Sequence, residues 1–199
     1  MTPWPAPFTV VGEFVHIEPL ALKHHEDLVE AAADGELYRL WYTKVPAPDQ
    51  VAQEIQRRLG LMQEGKMLPF AVLDRKSGKA VGMTTYMNID AANRRLEIGS
   101  TWYRKAFQRT PLNTECKLLL LRHAFEVLGC IAVEFRTHVM NLQSRRAIER
   151  LGAKLDGILR QHMVIDNGTV RDTAVYSIIA AEWPAVSANL AWLMERPRG

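Results

Sequence analysis

The chain has 199 residues, 48% of them hydrophobic, and a net charge of +3 from 25 Lys+Arg against 22 Asp+Glu. That suits one globular domain with its own core; so mild a basic excess argues against a nucleic-acid surface but allows a local patch for a small anion. Two cysteines, Cys116 and Cys130, make neither a disulfide framework nor a metal-ligand spacing, and no leader pattern or membrane-length apolar run is present, so a single cytoplasmic domain over residues 1–199 is expected, with no metal, membrane or nucleic-acid partner.

In chain order, a Pro-rich start over Met1–Pro7 gives way to two short strands, Phe8–Val11 and Phe14–Pro19, around Gly12-Glu13. Leu20 to Ala33 has helical spacing and stops at Asp34-Gly35. After an apolar aromatic turn, Leu37–Tyr42, and the breaker Pro46-Ala47-Pro48, Asp49 has the character of an N-cap for a helix through Ile55 that ends at Gly65. Three strands follow as an antiparallel meander: Leu68–Asp74, Ala80–Ile89 and Leu96–Tyr103. A helix is predicted from Pro111 to Leu128, with Thr110 as N-cap and Gly129 just past its end. A strand over Ile131–Val139, a helix capped by Asn141 and closed at Gly152, a hairpin of Ala153–Ile165 with Thr169–Ile179, and a last helix over Glu182–Glu195 complete the pattern. The tail Arg196–Gly199 is expected to fray.

Two stretches can carry chemistry. In the first, the strand ending Ser100-Thr101-Trp102-Tyr103 feeds a helix N-terminus through a loop with Lys105, Gln108 and Arg109. Unpaired N–H groups at Thr110, Leu112, Asn113 and Thr114 and the positive end of the helix dipole make this a ready phosphate site, although a solvated basic loop accounts for the same residues. In the second, Asn141 and Ser144 open a helix directly after a strand; they point into the gap between the two strands, or serve only as a cap. Of the histidines, His24-His25 read as a solvated face, and His138 stands close in sequence to Asn141. Trp41, Tyr42, Tyr86 and Trp102 read as core first and cavity lining second.

The pattern Glu97-Ile98-Gly99-Ser100-Thr101-Trp102-Tyr103, then Gln108-x-x-Pro111-x-Asn113-Thr114-Glu115, then Asn141-x-x-Ser144-x-Arg146-x-x-Glu149-x-x-Gly152 resembles GNAT-superfamily N-acetyltransferases, within them the ribosomal-protein N-terminal, RimJ/RimL-type branch. The resemblance implies an α+β GNAT fold: a mixed, mostly antiparallel sheet of about seven strands with a central splayed parallel pair and flanking helices. It implies acetyl-CoA as co-substrate and an amine acceptor, a peptide or protein N-terminus or a small amine, attacking directly. Pantetheine would pair with Ser100–Tyr103, and the pyrophosphate would rest on Gln108–Thr114. Glu97 would be the general base through a water, with a salt bridge to Arg94 or Arg95 as its plain alternative. Ser144 would donate to the leaving sulfur, Asn141 would hold the pantetheine or acetyl group, and Tyr103 and Tyr176 would be reserve proton donors. The sequence departs from the family at Pro111 and Asn113, which stand where loop glycines are usual, and this favours the alternative of a CoA-binding regulatory module with little turnover. The oligomeric state is expected to be monomer or homodimer.

Overall fold

A computed structural model describes residues 4–195; the tail expected to fray and the first residues of the Pro-rich start lie outside the described residues. Eight strands form one sheet: β1 (Val10–Val11), β2 (Val15–Pro19), β3 (Met67–Asp74), β4 (Ala80–Asp90), β5 (Arg95–Tyr103), β6 (Ala132–His138), β7 (Lys154–Val164) and β8 (Val170–Ile179), in the order β1-β2-β3-β4-β5-β6-β8-β7. All eight strands read in chain order form, one more than the resemblance's count of about seven, and the expected Phe8–Val11 strand is shortened to the two-residue edge β1. Every neighbouring pair is antiparallel except β5 and β6.

Helices cover both faces. On one, α3 (Pro111–Arg122) and α5 (Trp183–Glu195) bury Leu112, Leu120, Leu121 and Leu190 against Phe70, Tyr86 and Ile98. On the other, α1 (His25–Ala33) and α2 (Val51–Gln63) bury Leu28, Val51 and Ile55 against Met83 and Trp102. This two-sided burial is why β3 and β4 read as near-continuous apolar runs rather than alternating ones. The short helix α4 (Leu142–Arg150) follows β6.

Local chemistry corrects several sequence expectations. Thr110 does not cap α3, because its hydroxyl donates to the Phe107 carbonyl at 2.8 Å. Asp49 sits inside a 3-10 turn, Pro48–Gln50, that precedes α2, where no side chain caps the helix. The helix predicted to Leu128 widens into a π turn over His123–Val127 before Gly129, at φ +65°, ends it. His24 is no solvated residue: it is 4% exposed, accepting from the Ala21 N–H and contacting Glu18 at 2.9 Å. Trp183 stacks on Phe125, which packs the last helix against the π turn that follows α3.

Glu115, buried on α3, accepts the backbone N–H groups of Glu13, Phe14 and Val15 at 2.7, 2.7 and 2.9 Å. A Cβ at Gly12 would lie 2.4 Å from its carboxyl carbon, so the glycine is what admits the carboxylate to the turn. One helix side chain thereby holds the β1–β2 hairpin.

Candidate active site

The parallel ladder between β5 and β6 stops at the pair Glu97–Glu134. Beyond it β5 pairs only with β4, and its other edge opens onto a cavity of about 730 Å³. Two bulges shape this segment. One residue is added on β4 at Asn88, φ +47°, and one on β5 at Ser100, φ +48°, both left-handed conformations that non-glycine residues adopt at a cost. They lie on either side of Glu97 and turn the flanking groups towards the opening.

Glu97 lines the cavity and is 4% exposed. Asn88 Nδ2 donates to its Oε2 at 2.7 Å, and Arg136 Nε stands 3.5 Å from the same oxygen. Burial raises its pKa above the ordinary carboxylate value, and the Asn88 hydrogen bond and the Arg136 charge partly offset this. The expected partner Arg95 instead reaches Glu134 at 2.6 Å. Gly99 now has a physical reason: a Cβ there would lie 2.6 Å from Glu97 Oε1, so the glycine clears space for the carboxylate along the strand.

The cavity gathers most residues that the sequence singled out. Ser100, Thr101, Trp102, Tyr103, Gln108, Arg109, Thr110, Asn113, Asn141 and Ser144 all line it. The side chains of Leu112 and Thr114 do not; both are buried in α3, leaving only their backbone N–H groups for a ligand. Asn141 Oδ1 accepts from the Ser144 N–H at 3.0 Å, so the cap and the cavity wall are the same residue pair. Arg109 takes the left-handed conformation, φ +61°, that a loop glycine would otherwise supply. Gln143 Nε2 donates to Gln108 Oε1 at 3.2 Å and ties the start of α4 to the loop before α3. Tyr176 is fully buried, donating to Glu149 at 2.8 Å and accepting from Arg145 at 2.9 Å, and does not line the cavity. Tyr42 and Trp102 are lining residues, whereas Tyr86 belongs to the core.

Sequence reading missed three cations here. Arg58 on α2, 1% exposed, binds Glu54 at 2.7 Å, Thr85 Oγ1 at 2.8 Å and the Ser100 carbonyl at 3.1 Å, so a buried guanidinium grips the β5 bulge. Arg171 on β8 lines the same cavity as Glu97. Lys117 on α3, 6% exposed, donates to Thr84 Oγ1 at 3.0 Å and Thr101 Oγ1 at 2.8 Å. A lysine within the apolar run Cys116-Lys117-Leu118-Leu119 was the available signal, since a charge on a buried helix face needs a reason. No carboxylate is recorded within ion-pair distance of Lys117 among the described residues, and burial lowers its pKa to about 8.

That shift has a sign that can be tested. Below pH 8 the lysine is charged in both states, and the folded protein carries the desolvation cost. Between about pH 8 and 10.5 the unfolded chain holds a proton that the folded chain lacks, so stability contributed at this site rises with pH. Lys117→Met is therefore expected to melt about 4 °C higher than the parent at pH 7, with the gap closing towards pH 10. Paired thermal melts at the two pH values check this; a gap unchanged with pH would refute the assignment.

The acetyltransferase (GNAT) domain family matches residues 15–154. The chain belongs to the GNAT acetyltransferase family. It is 34% identical over 106 residues to YdaF of Bacillus subtilis (strain 168), provisionally named a ribosomal N-acetyltransferase; the match covers 53% of this chain and 57% of that protein, little more than half its length. The crystal structure of a GCN5-related N-acetyltransferase from Brucella melitensis superposes with a TM-score of 0.86 at 36% identity, covering 96% of this chain and 87% of that one. Mycobacterium smegmatis RimJ, solved in complex with CoA-disulfide, has the same fold at a TM-score of 0.75 and 20% identity, covering 90% of this chain and 88% of that one. No helix among the described residues is long and apolar enough to cross a membrane, and no group of three metal-ligating side chains occurs among them.

Proposed function

We propose that this single-domain protein is a cytoplasmic N-acetyltransferase that uses acetyl-CoA and acetylates an amine, either a peptide N-terminus or a small molecule, as a monomer or homodimer. The observation that carries the reading is the β5 edge released by β6 beyond Glu97, beside a buried carboxylate of raised pKa. The residues fit the donor: the open edge at Ser100–Tyr103 suits an amide-bearing arm, and the uncapped first turn of α3 with Arg109 suits a pyrophosphate. The RimJ relative's complex with CoA-disulfide supports the same choice.

In this reading acetyl-CoA supplies an activated acyl group. Glu97, in its ionised form, accepts the proton of the incoming amine through a water. Backbone N–H groups at the Ser100 bulge stabilise negative charge developing on the acyl oxygen, and the Lys117 cation behind Thr101 adds to that field. Ser144 hands a proton or a hydrogen bond to the departing sulfur, with Asn141 holding the adjacent chain. The alternative of a CoA-binding module with little turnover rests on Pro111 and Asn113; the left-handed Arg109, which makes a turn there without those glycines, favours the enzyme reading.

Calorimetric titration of acetyl-CoA, with free CoA and a phosphate-only nucleotide as controls, should show saturable binding that prefers the CoA compounds. Ser144→Ala is expected to bind acetyl-CoA within about twofold of the parent while its turnover falls about 10²-fold. No binding by the parent protein would end the enzyme reading, and equal losses of binding and turnover would remove Ser144 from its role.

A further inference from the structure

The register places Glu97, Glu134, Arg136, His138, Arg171 and Thr173 on one face of the sheet, since Glu97 pairs with Glu134 and His138 with Thr173. This is the face that carries α1 and α2, away from the α3 end where the basic loop lies. Its charges do not balance locally. Glu134 is taken by Arg95 at 2.6 Å and Arg136 at 2.8 Å. Arg136 also reaches Glu97. Lys44, further out, is matched by Asp166 at 3.0 Å.

Arg171 is left over. It is half-buried on the cavity wall, and its Nε donates to Thr173 Oγ1 at 2.9 Å. Among the described residues no carboxylate lies within 4.0 Å of its guanidinium, and its terminal nitrogens have no recorded hydrogen-bond partner. Burial pulls its pKa below the usual arginine value, and the nearby Glu97 charge opposes that only in part. A guanidinium that loses water without gaining a carboxylate is costly unless a ligand completes it, and its planar fork matches a carboxylate in two hydrogen bonds.

We infer that Arg171, seconded by Arg136, binds an anionic group on the acceptor, so that the substrate class is an amine bearing a carboxylate close to its nitrogen. The inference rests on the acetyl-transfer reading above. The same cation favours the neutral, nucleophilic form of the amine beside it, because a like charge disfavours the ammonium. Two sources share this chemistry: a free amino acid, and a peptide whose first residue is acidic. A plainer role, in which Arg171 only keeps Glu97 ionised, makes a different prediction, because it would serve every acceptor alike.

The test pairs probes that differ only in charge: glycine, alanine and serine against their carboxamides, and tripeptides beginning with Asp or Glu against those beginning with Asn or Gln. CoA release and product mass are followed for the parent protein, Arg171→Gln and Arg171→Lys, after calorimetry has established acetyl-CoA binding by each. In at least one of the two series the anionic member is expected to have a kcat/KM about tenfold above its neutral partner, a preference that Arg171→Gln reduces to near parity and Arg171→Lys partly retains. The responding series identifies the source. Neutral members acetylated as well as anionic ones, an unchanged preference in Arg171→Gln, or a uniform loss on both members would each overturn the inference. Acetyl-CoA binding with no transfer to any anionic probe would overturn it too, whereas failure to bind acetyl-CoA would instead sink the underlying reading.

Discussion

Glu97→Gln is expected to lower kcat by about 10²–10⁴-fold while leaving acetyl-CoA affinity within about twofold, because the change deletes the proton acceptor and preserves the shape of the site. The carboxamide can keep its contact with Asn88, and Gly99 still leaves it room, so the fold has no reason to respond. The parent's pH profile carries a second signature. Only ionised Glu97 accepts a proton, and burial raises its pKa, so kcat/KM should fall on acidification through a value above the ordinary carboxylate range. Asn88 holds that pKa down by donating to the ionised form. Asn88→Gly keeps the left-handed bulge and removes the donor, so it should move the acid limb to higher pH while the plateau survives. A profile with its limb in the same place for Asn88→Gly, or a Glu97→Gln enzyme of near-parental rate, would remove Glu97 as the base.

Arg58→Met should cost about 3 kcal/mol of stability, a fall of roughly 6–12 °C in melting temperature, because a buried ion pair loses one member and Glu54 keeps only its two hydrogen bonds from the more exposed Arg57. Stability is the lesser half of the expectation. The guanidinium also bridges Thr85 on β4 and the Ser100 carbonyl on β5, across the place where β5 carries its extra residue. With that grip gone, Ser100 has less reason to stay at φ +48°, and the bulge that aims backbone groups into the cavity should relax. Turnover is expected to fall by about tenfold or more in protein that is still folded, in keeping with the cost of misplacing groups by about an ångström. Ser100→Gly in the same background offers a discriminating control. Glycine holds a left-handed conformation without support, so the double variant should regain part of the lost kcat and none of the ion-pair stability. Kinetics below the melting temperature, alongside thermal melts, measure both. Identical kcat in the single and double variants would reduce Arg58 to a structural residue.

Much of this arrangement was legible in the one-dimensional pattern. The meander, the strand–helix–strand–helix order and the terminal hairpin follow from apolar spacing and turn residues, and Asn141 does cap α4. Asn141 and Ser144 drew attention as the start of a helix directly after a strand, Glu97 through the family pattern, and all three line the one cavity. Thr110 and Asp49 show where local reasoning fails: each had the right chemistry for a cap, and each was outcompeted by a neighbouring turn. The left-handed conformation of Arg109 had no sequence signal at all, since nothing in an arginine announces it.

The residues that tertiary structure alone revealed are those whose partners are distant in the chain. Arg58 meets Ser100 across 42 residues, Lys117 meets Thr84 across 33, and Glu115 reaches the β1–β2 turn across about 100. Arg136 and Arg171 approach Glu97 only because β6 lies beside β5, and β8 beside β6, in the sheet. By itself the sequence determined the elements, the family pattern and the residues at element ends, because periodicity, capping and turn preference act within a few positions. Which charges are paired, which are left over, and which carboxylate is desolvated enough to hold its proton more tightly were decided by packing. Burial and Coulomb interaction depend on distance through space, and only the fold sets that distance.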